Sequence, residues 1–197
     1  IKSLVSDFEP TDEHRLVTEF KWKAIFTTNY DEAIETAFKE NKSSLQKVEK
    51  IISDNDSIQR VIFNPEKLPV IKIHGCISRI NDNRVPLVIS NSDYRRHLEN
   101  RSSLYQYLRE CLTSDLVIFY GYGLADANIV GILDDLEKEG VSRTRHIWLD
   151  PYMKELQKGF WQTKNLECKI NNLYDFLSDI KSKQDSNLLS LSSILKN

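Results

Sequence analysis

The chain has 197 residues, room for one full core, and its 40% apolar and 28% charged side chains match an ordinary globular domain. A net charge of −2 argues against a general polyanion binder, and no apolar run approaches the roughly 20 residues that cross a bilayer. No signal peptide opens "IKSLVSDFEP", and Cys76, Cys111 and Cys168 form no C-x-x-C pair, so neither structural zinc nor a disulfide framework is expected and a reducing cytoplasm fits best. Because residue 1 is Ile rather than Met, the chain is expected to begin inside a longer protein.

The first apolar, β-branched run, "KAIFTT" at 23–28, predicts a buried strand that ends in Thr27-Thr28-Asn29-Tyr30-Asp31. "DEAIETAFKE" follows as a helix, with Ala33, Ile34, Ala37 and Phe38 on one stripe. Segment 41–66, rich in Lys, Ser and Asp, reads as an insertion with some helix. "PVIKIH" at 69–74 predicts a second strand, closed by His74-Gly75, and "PLVIS" at 86–90 a third. The basic stretch "YRRHLENR" at 94–101 is interrupted by Glu99 and reads as a solvated helix face. "SSLYQYLRECL" is helical, and "DLVIFYG" at 115–121 is a strand that turns through "GYGLAD" into the helix "DANIVGILDDLEKE". That helix carries Ile129, Ile132, Leu133 and Leu136 on one face and has Asp126 to cap its first turn. "RHIWLD" at 145–150 and the weaker "ECKI" at 167–170 complete the strands, and "NLYDFLSDIKS" is a final helix. The apolar tail "SNLLSLSSILKN" is expected to dock on something.

Continuous apolar strands alternating with helices predict an α/β, Rossmann-like three-layer fold, with a mostly parallel central sheet and helices on both faces. There is no internal repeat. One domain is expected over 1–183, with 184–197 as a tail or the start of a following segment.

Ligands of parallel sheets bind outside the carboxyl ends of the strands, where three polar clusters are expected to converge on one rim: Thr27 to Asp31, His74-Gly75, and "GYGLAD" with Gly121 and Gly123. Taken singly, each has a plain structural use. Asn29 and Asp31 cap helices well, His74 suits a hydrogen-bonded core position, and the glycines permit a tight turn. Together they suit a ligand with a phosphate part and a reactive polar part, because a glycine turn ahead of a helix presents N–H groups to an anion.

"TTNYDEAIE", "KIHG", "LVISNSDY" and "LVIFYGYGLADANI" resemble, in that order, the sirtuin-like domains of bacterial antiviral defence systems, over roughly residues 20–180. The resemblance implies an NAD hydrolase that releases nicotinamide and ADP-ribose, with NAD as substrate and no metal. It implies that Asn29 holds the nicotinamide ribose and the attacking water, and that His74 is the catalytic base. Asp31 would help recognise the carboxamide. Gly121, Tyr122 and Gly123 would line the phosphates and adenosine ribose, and Asp150 would bond that ribose. Thr27, Thr28 and Asp126 complete the expected cofactor-binding set. The resemblance also implies activation in response to phage, depletion of cellular NAD, and assembly as a homo-oligomer or with partner proteins that sense phage. Neither a membrane nor direct nucleic-acid binding is implied.

The chain departs from the family pattern in three places. None of the six glycines forms the Gly-Ala-Gly-x-Ser-like loop that opens such domains, so the first strand and its loop are expected to precede residue 1. Only residues 76–85, with one cysteine, follow His-Gly before the next predicted strand, leaving no space for the two C-x-x-C pairs of a sirtuin deacylase. Gly123 stands where many relatives have Ser, a loss of about 1 kcal/mol for one hydrogen bond. The rival to hydrolysis is a non-catalytic sensor or scaffold that binds NAD or ADP-ribose; a pure binder has no need of the Asn29–His74 pair.

Overall fold

The computed structural model describes residues 8–96, 98–121, 126–140 and 145–194. In chain order the elements are α1 (Asp12–Val17), β1 (Ile25–Thr27), α2 (Ala33–Glu40), β2 (Lys47–Ile51), α3 (Gln59–Ile62), β3 (Lys67–Lys72), α4 (Asn91–Arg95), α5 (Ser102–Ser114), β4 (Ile118–Tyr120), α6 (Ala127–Lys138), β5 (His146–Leu149), α7 (Glu155–Thr163), β6 (Leu166–Lys169) and α8 (Leu173–Ile194). The architecture is α/β and Rossmann-like, as expected. Among the described residues all strand pairings are parallel, and six strands form two sheets of three, ordered β1-β3-β2 and β4-β5-β6. The chain divides between Asp115 and Leu116 into two units, each carrying one sheet.

In the first unit β3 is the central strand, and Leu68, Val70 and Ile71 on it are fully buried. Burial on both faces explains why this strand is written as a continuous apolar run. Phe38 of α2 packs on Leu68 and Val70, with Val17, Trp22, Ile25, Ile34 and Val48 around them. Ala33 and Ala37 bury the same helix face, which is the stripe read from the sequence. A second cluster, Ile52, Cys76, Ile77 and Val85, lies beyond the carboxyl ends of β2 and β3.

Two expectations need correction here. Segment 41–66 is more than a helical insertion, because it contains β2, which pairs with β3 from Lys47↔Lys67 to Ile51↔Ile71. "KVEKI" is an outer strand, so it carries charge along its length, and Glu49 pairs with Lys67 across the ladder at 2.9 Å. "PLVIS" forms no ladder among the described residues. Pro86 lacks a donor, its carbonyl accepts from Arg101, and the Val88 carbonyl accepts from the Tyr30 hydroxyl at 2.5 Å. The Val88 N–H still donates to the His74 carbonyl at 2.9 Å. The segment is a strap held mainly by side chains.

Helix α5 begins at Arg101, which supplies no side-chain cap. Asp54 takes that role from the loop after β2: its carboxylate accepts from the N–H groups of Ser102 and Ser103, both at 3.0 Å, and from both hydroxyls.

In the second unit Trp148 on the central strand β5 is fully buried and meets Trp161 of α7 edge-on, with ring centres 5.9 Å apart. Ile129, Leu133 and Leu136 bury the core face of α6. Asp126 caps that helix as expected, its Oδ1 accepting from Asn128 N at 2.8 Å and Ile129 N at 3.4 Å. Helix α8 runs unbroken past residue 183, where a tail was expected to start, to Ile194.

The packing generates a contrast within the first unit, between a strand residue and the residue that ends α3. Ile71→Ala, at a fully buried central position, is expected to cost about 2–5 kcal/mol. Phe63→Ala, at a side chain 83% exposed, should fall within about 0.5 kcal/mol of the parent. Guanidinium unfolding followed by circular dichroism measures both.

Candidate active site

β1 and β3 are paired in the register Ile25↔Val70, Phe26↔Ile71 and Thr27↔Lys72. One further bond, from Ile73 N to the Thr27 carbonyl at 3.1 Å, extends the ladder before the strands part. Asn29 and His74 therefore occupy equivalent places, each two residues past the last paired position. The parallel sheet brings them to one end, the carboxyl end at which ligands of this architecture bind.

Each departing loop is tied down locally. In the first, the Thr27 hydroxyl accepts from Asn29 N at 3.0 Å, and Asp31 Oδ1 accepts from Ala33 N at 2.9 Å, so Asp31 starts α2 as its polar character suggested. Thr27, Thr28 and Asp31 are half-buried, whereas Asn29 is exposed. In the second loop His74 is 4% exposed, and Gly75 closes a turn with its N–H on the Lys72 carbonyl at 3.0 Å. Gly75 has φ +92°, a left-handed conformation, and a Cβ there would lie 3.0 Å from Leu87 Cδ2 and 3.3 Å from the Pro86 carbonyl oxygen. Both the conformation and the space demand glycine.

The two loops are also bonded to each other. Ile77 N donates to the Tyr30 carbonyl at 2.9 Å, while Tyr30 and His74 share the strap residue Val88. A third loop, after β2, joins them through Asp56. Its carboxylate takes a two-pronged bond from Arg79, at 2.6 and 3.1 Å, and accepts from Ile52 N and Ser53 N at 2.7 and 2.9 Å. Burial works to raise the Asp56 carboxyl, but the Arg79 guanidinium and the two N–H donors outweigh it and hold the group below its ordinary value.

Sequence reasoning missed a principal member of this site. Lys72, the last residue of β3, is 0% exposed. Its ammonium donates to the Asp31 main-chain carbonyl and lies 3.3 Å from Glu35 Oε1 on α2. Neither Glu35 oxygen accepts a hydrogen bond among the described residues, so the pair is held by charge alone. The signal was present: a single lysine inside the apolar run "VIKIHG", with a glutamate one turn after Asp31.

In the second unit β4 and β5 pair as Tyr120↔Leu149, and Gly121 and Asp150 each follow by one residue. They share a sheet end in the same way as Asn29 and His74. Gly121 has φ +60° and nothing within 4 Å of an added Cβ, so its freedom serves the turn. Asp150 Oδ1 accepts from Tyr152 N at 2.8 Å, a turn of the kind Asp favours. Asp126 stands at the first turn of α6, where N–H groups gather. Tyr122 and Gly123 lie outside the described residues. Among the described residues no cluster of His, Cys, Asp and Glu is arranged to hold a metal, and no helix is long and apolar enough to cross a membrane. All three cysteines are free thiols.

The family model of the SIR2-like domain matches residues 23–169, from the start of the β1 region to the end of β6. The chain belongs to the SIR2-like family. Among curated proteins, the NAD(+) hydrolase ThsA of Enterococcus faecium is 24% identical over 137 residues, covering 66% of this chain and 26% of that protein. The chain thus spans about a quarter of the length of that relative. The matched span of the SIR2-like domain includes Asn29, His74, Gly121, Asp126 and Asp150.

Two outcomes follow for the SIR2-like domain. Gly75→Ala is expected to destabilise by about 1–3 kcal/mol, from positive φ and the contact with Leu87, in a thermal or chemical melt. A folded value depressed below the ordinary 3.8 means that Asp56 contributes stability fully above that pH and loses it as pH falls through the folded value. Asp56→Asn should therefore lower stability at neutral pH and flatten the acid limb of a stability–pH curve, and a parallel, undiminished acid limb would contradict the assignment.

Proposed function

We propose that this SIR2-like domain hydrolyses NAD to nicotinamide and ADP-ribose. The observation that carries the reading is the pairing of Asn29 with His74 at equivalent positions past the ends of two adjacent parallel strands. An exposed amide and a shielded imidazole carried past the same sheet end suit a reaction in which a water must be held and then deprotonated. Family membership and the likeness to a named NAD(+) hydrolase support the choice of substrate.

Cleaving the bond between the nicotinamide nitrogen and ribose C1′ expels a neutral leaving group, which takes the bonding pair. C1′ then has the oxocarbenium character of glycoside hydrolysis, and water oxygen adds to it, losing one proton. Little acid catalysis is needed, since the leaving pyridine nitrogen carries no negative charge. Catalysis then rests on position. Asn29 orients the water and the ribose without titrating. His74, held by its loop away from bulk solvent, accepts the proton. Asp31 reads the carboxamide through the carboxylate oxygen that Ala33 N does not occupy. Thr27 and Thr28 line the same sheet end. Gly121, Tyr122 and Gly123 line the phosphates and adenosine ribose, Asp126 at the first turn of α6 completes the cofactor-binding set, and Asp150 bonds that ribose.

The biological extension of this proposal is an effector of anti-phage defence, depleting cellular NAD once a trigger or partner protein activates it. Nicotinamide release from NAD, measured chromatographically on the activated protein, tests the chemistry. His74→Ala and Asn29→Ala are each expected to reduce release by at least about 100-fold while leaving the circular dichroism spectrum unchanged. Wild-type-like turnover in either variant would remove that residue from its role. Tight NAD binding without release by the activated parent would instead favour a sensor.

A further inference from the structure

We infer that Lys72 is the positioning residue of this site, fixing the Asn29–Asp31 loop against the His74-Gly75 turn. The inference rests on the hydrolase reading for its kinetic consequence, but its geometry stands independently.

Lys72 is bonded to both loops at once. Its main-chain carbonyl accepts from Gly75 N, closing the turn that carries His74. Its side chain crosses to the neighbouring loop and donates to the Asp31 carbonyl, two residues beyond Asn29. Thr27, the last residue before the first loop, is its partner in the ladder. A shift of the ammonium thus moves one loop relative to the other, and the geometry between Asn29 and His74 is what a water held by one and deprotonated by the other requires.

The pair with Glu35 argues for position rather than stability. Taking a lysine and a glutamate out of water is costly, and the cost is recovered well only where further hydrogen bonds satisfy both groups. Here the Glu35 oxygens accept none among the described residues, and the contact with Lys72 is a charge pair at 3.3 Å. Apolar side chains of similar size commonly fill such a place without loss of stability. What they cannot do is donate to the Asp31 carbonyl. Glu35 holds the ammonium in place from α2, whose first N–H bonds to the Asp31 carboxylate.

The test is the double variant Lys72→Met/Glu35→Leu in the full chain, with Lys72→Arg and, as a control, Lys67→Met at the half-buried first residue of the same strand beside it. The double variant is expected to melt at or above the parent temperature, to lose about 100-fold in kcat for nicotinamide release with KM little changed, and to speed amide hydrogen exchange over residues 28–33. Lys72→Arg, which retains charge and donors, should recover most of the lost kcat, and Lys67→Met should match the parent throughout. Parental kcat and exchange in the double variant would overturn the assignment. Failure of the double variant to fold would also overturn it, by making the pair a determinant of the fold. If the parent itself releases no nicotinamide, the hydrolase reading fails, while the exchange comparison still decides whether Lys72 positions the loop.

Discussion

The parallel pairing of β1 with β3, in the register that sets Thr27 opposite Lys72, is the constraint from which the candidate site follows. A slip of one residue would exchange the faces of β1 and take Asn29 out of step with His74. The register is held by burial: Val70 and Ile71 have no exposure, and Ile25 packs into the cluster around Phe38. The hydrophobic core and the chemistry are thus fixed by the same few pairs. Beyond the last pair the chain has no ladder to follow, and its polar groups are satisfied one by one, through Thr27, Asp31, Tyr30, Lys72 and Val88. That is why so many hydrogen-bonding side chains crowd "TTNYD".

The same logic organises the surrounding loops. Asp54 caps α5 and Asp56 clasps Arg79, so one short turn after β2 ties a helix and the segment after His-Gly to the outer strand. These carboxylates do their work through N–H donors and a guanidinium, where a charged acceptor forms stronger bonds than a neutral one. Lys72 is different in kind. Among the described residues its surroundings offer one carbonyl and one carboxylate that accepts no hydrogen bond, a costly arrangement for a buried cation and a reason to look for a use beyond stability.

Much of this was legible in the sequence, for identifiable reasons. β3 and β5 are covered on both faces and so are written as apolar runs; α2 and α6 carry their core stripes at helical spacing, and Asp126 caps where its position suggested. β2 was hidden because an outer strand can afford Lys47, Glu49 and Lys50, which read as an insertion. "PLVIS" misled in the opposite direction. Leu87 and Val88 are buried as a strand's side chains would be, yet Ile89 is exposed, and Pro86 and side-chain bonds from Tyr30 and Arg101 replace the ladder. Asn29 and His74 could be named from their motifs, but their equivalence across the sheet needed the register. Lys72 stands inside "VIKIHG", but no local pattern reveals that a lysine's partner lies 41 positions earlier.

The central claim, that the shared end of β1 and β3 holds the reacting ribose of NAD, is tested most directly by a crystal structure of the His74→Ala variant with NAD bound. The variant is expected to leave the substrate intact, with the nicotinamide ribose between Asn29 and the vacated imidazole position, and the carboxamide toward Asp31. NAD lodged elsewhere on the chain, or bound with its nicotinamide turned away from Asn29, would contradict the account.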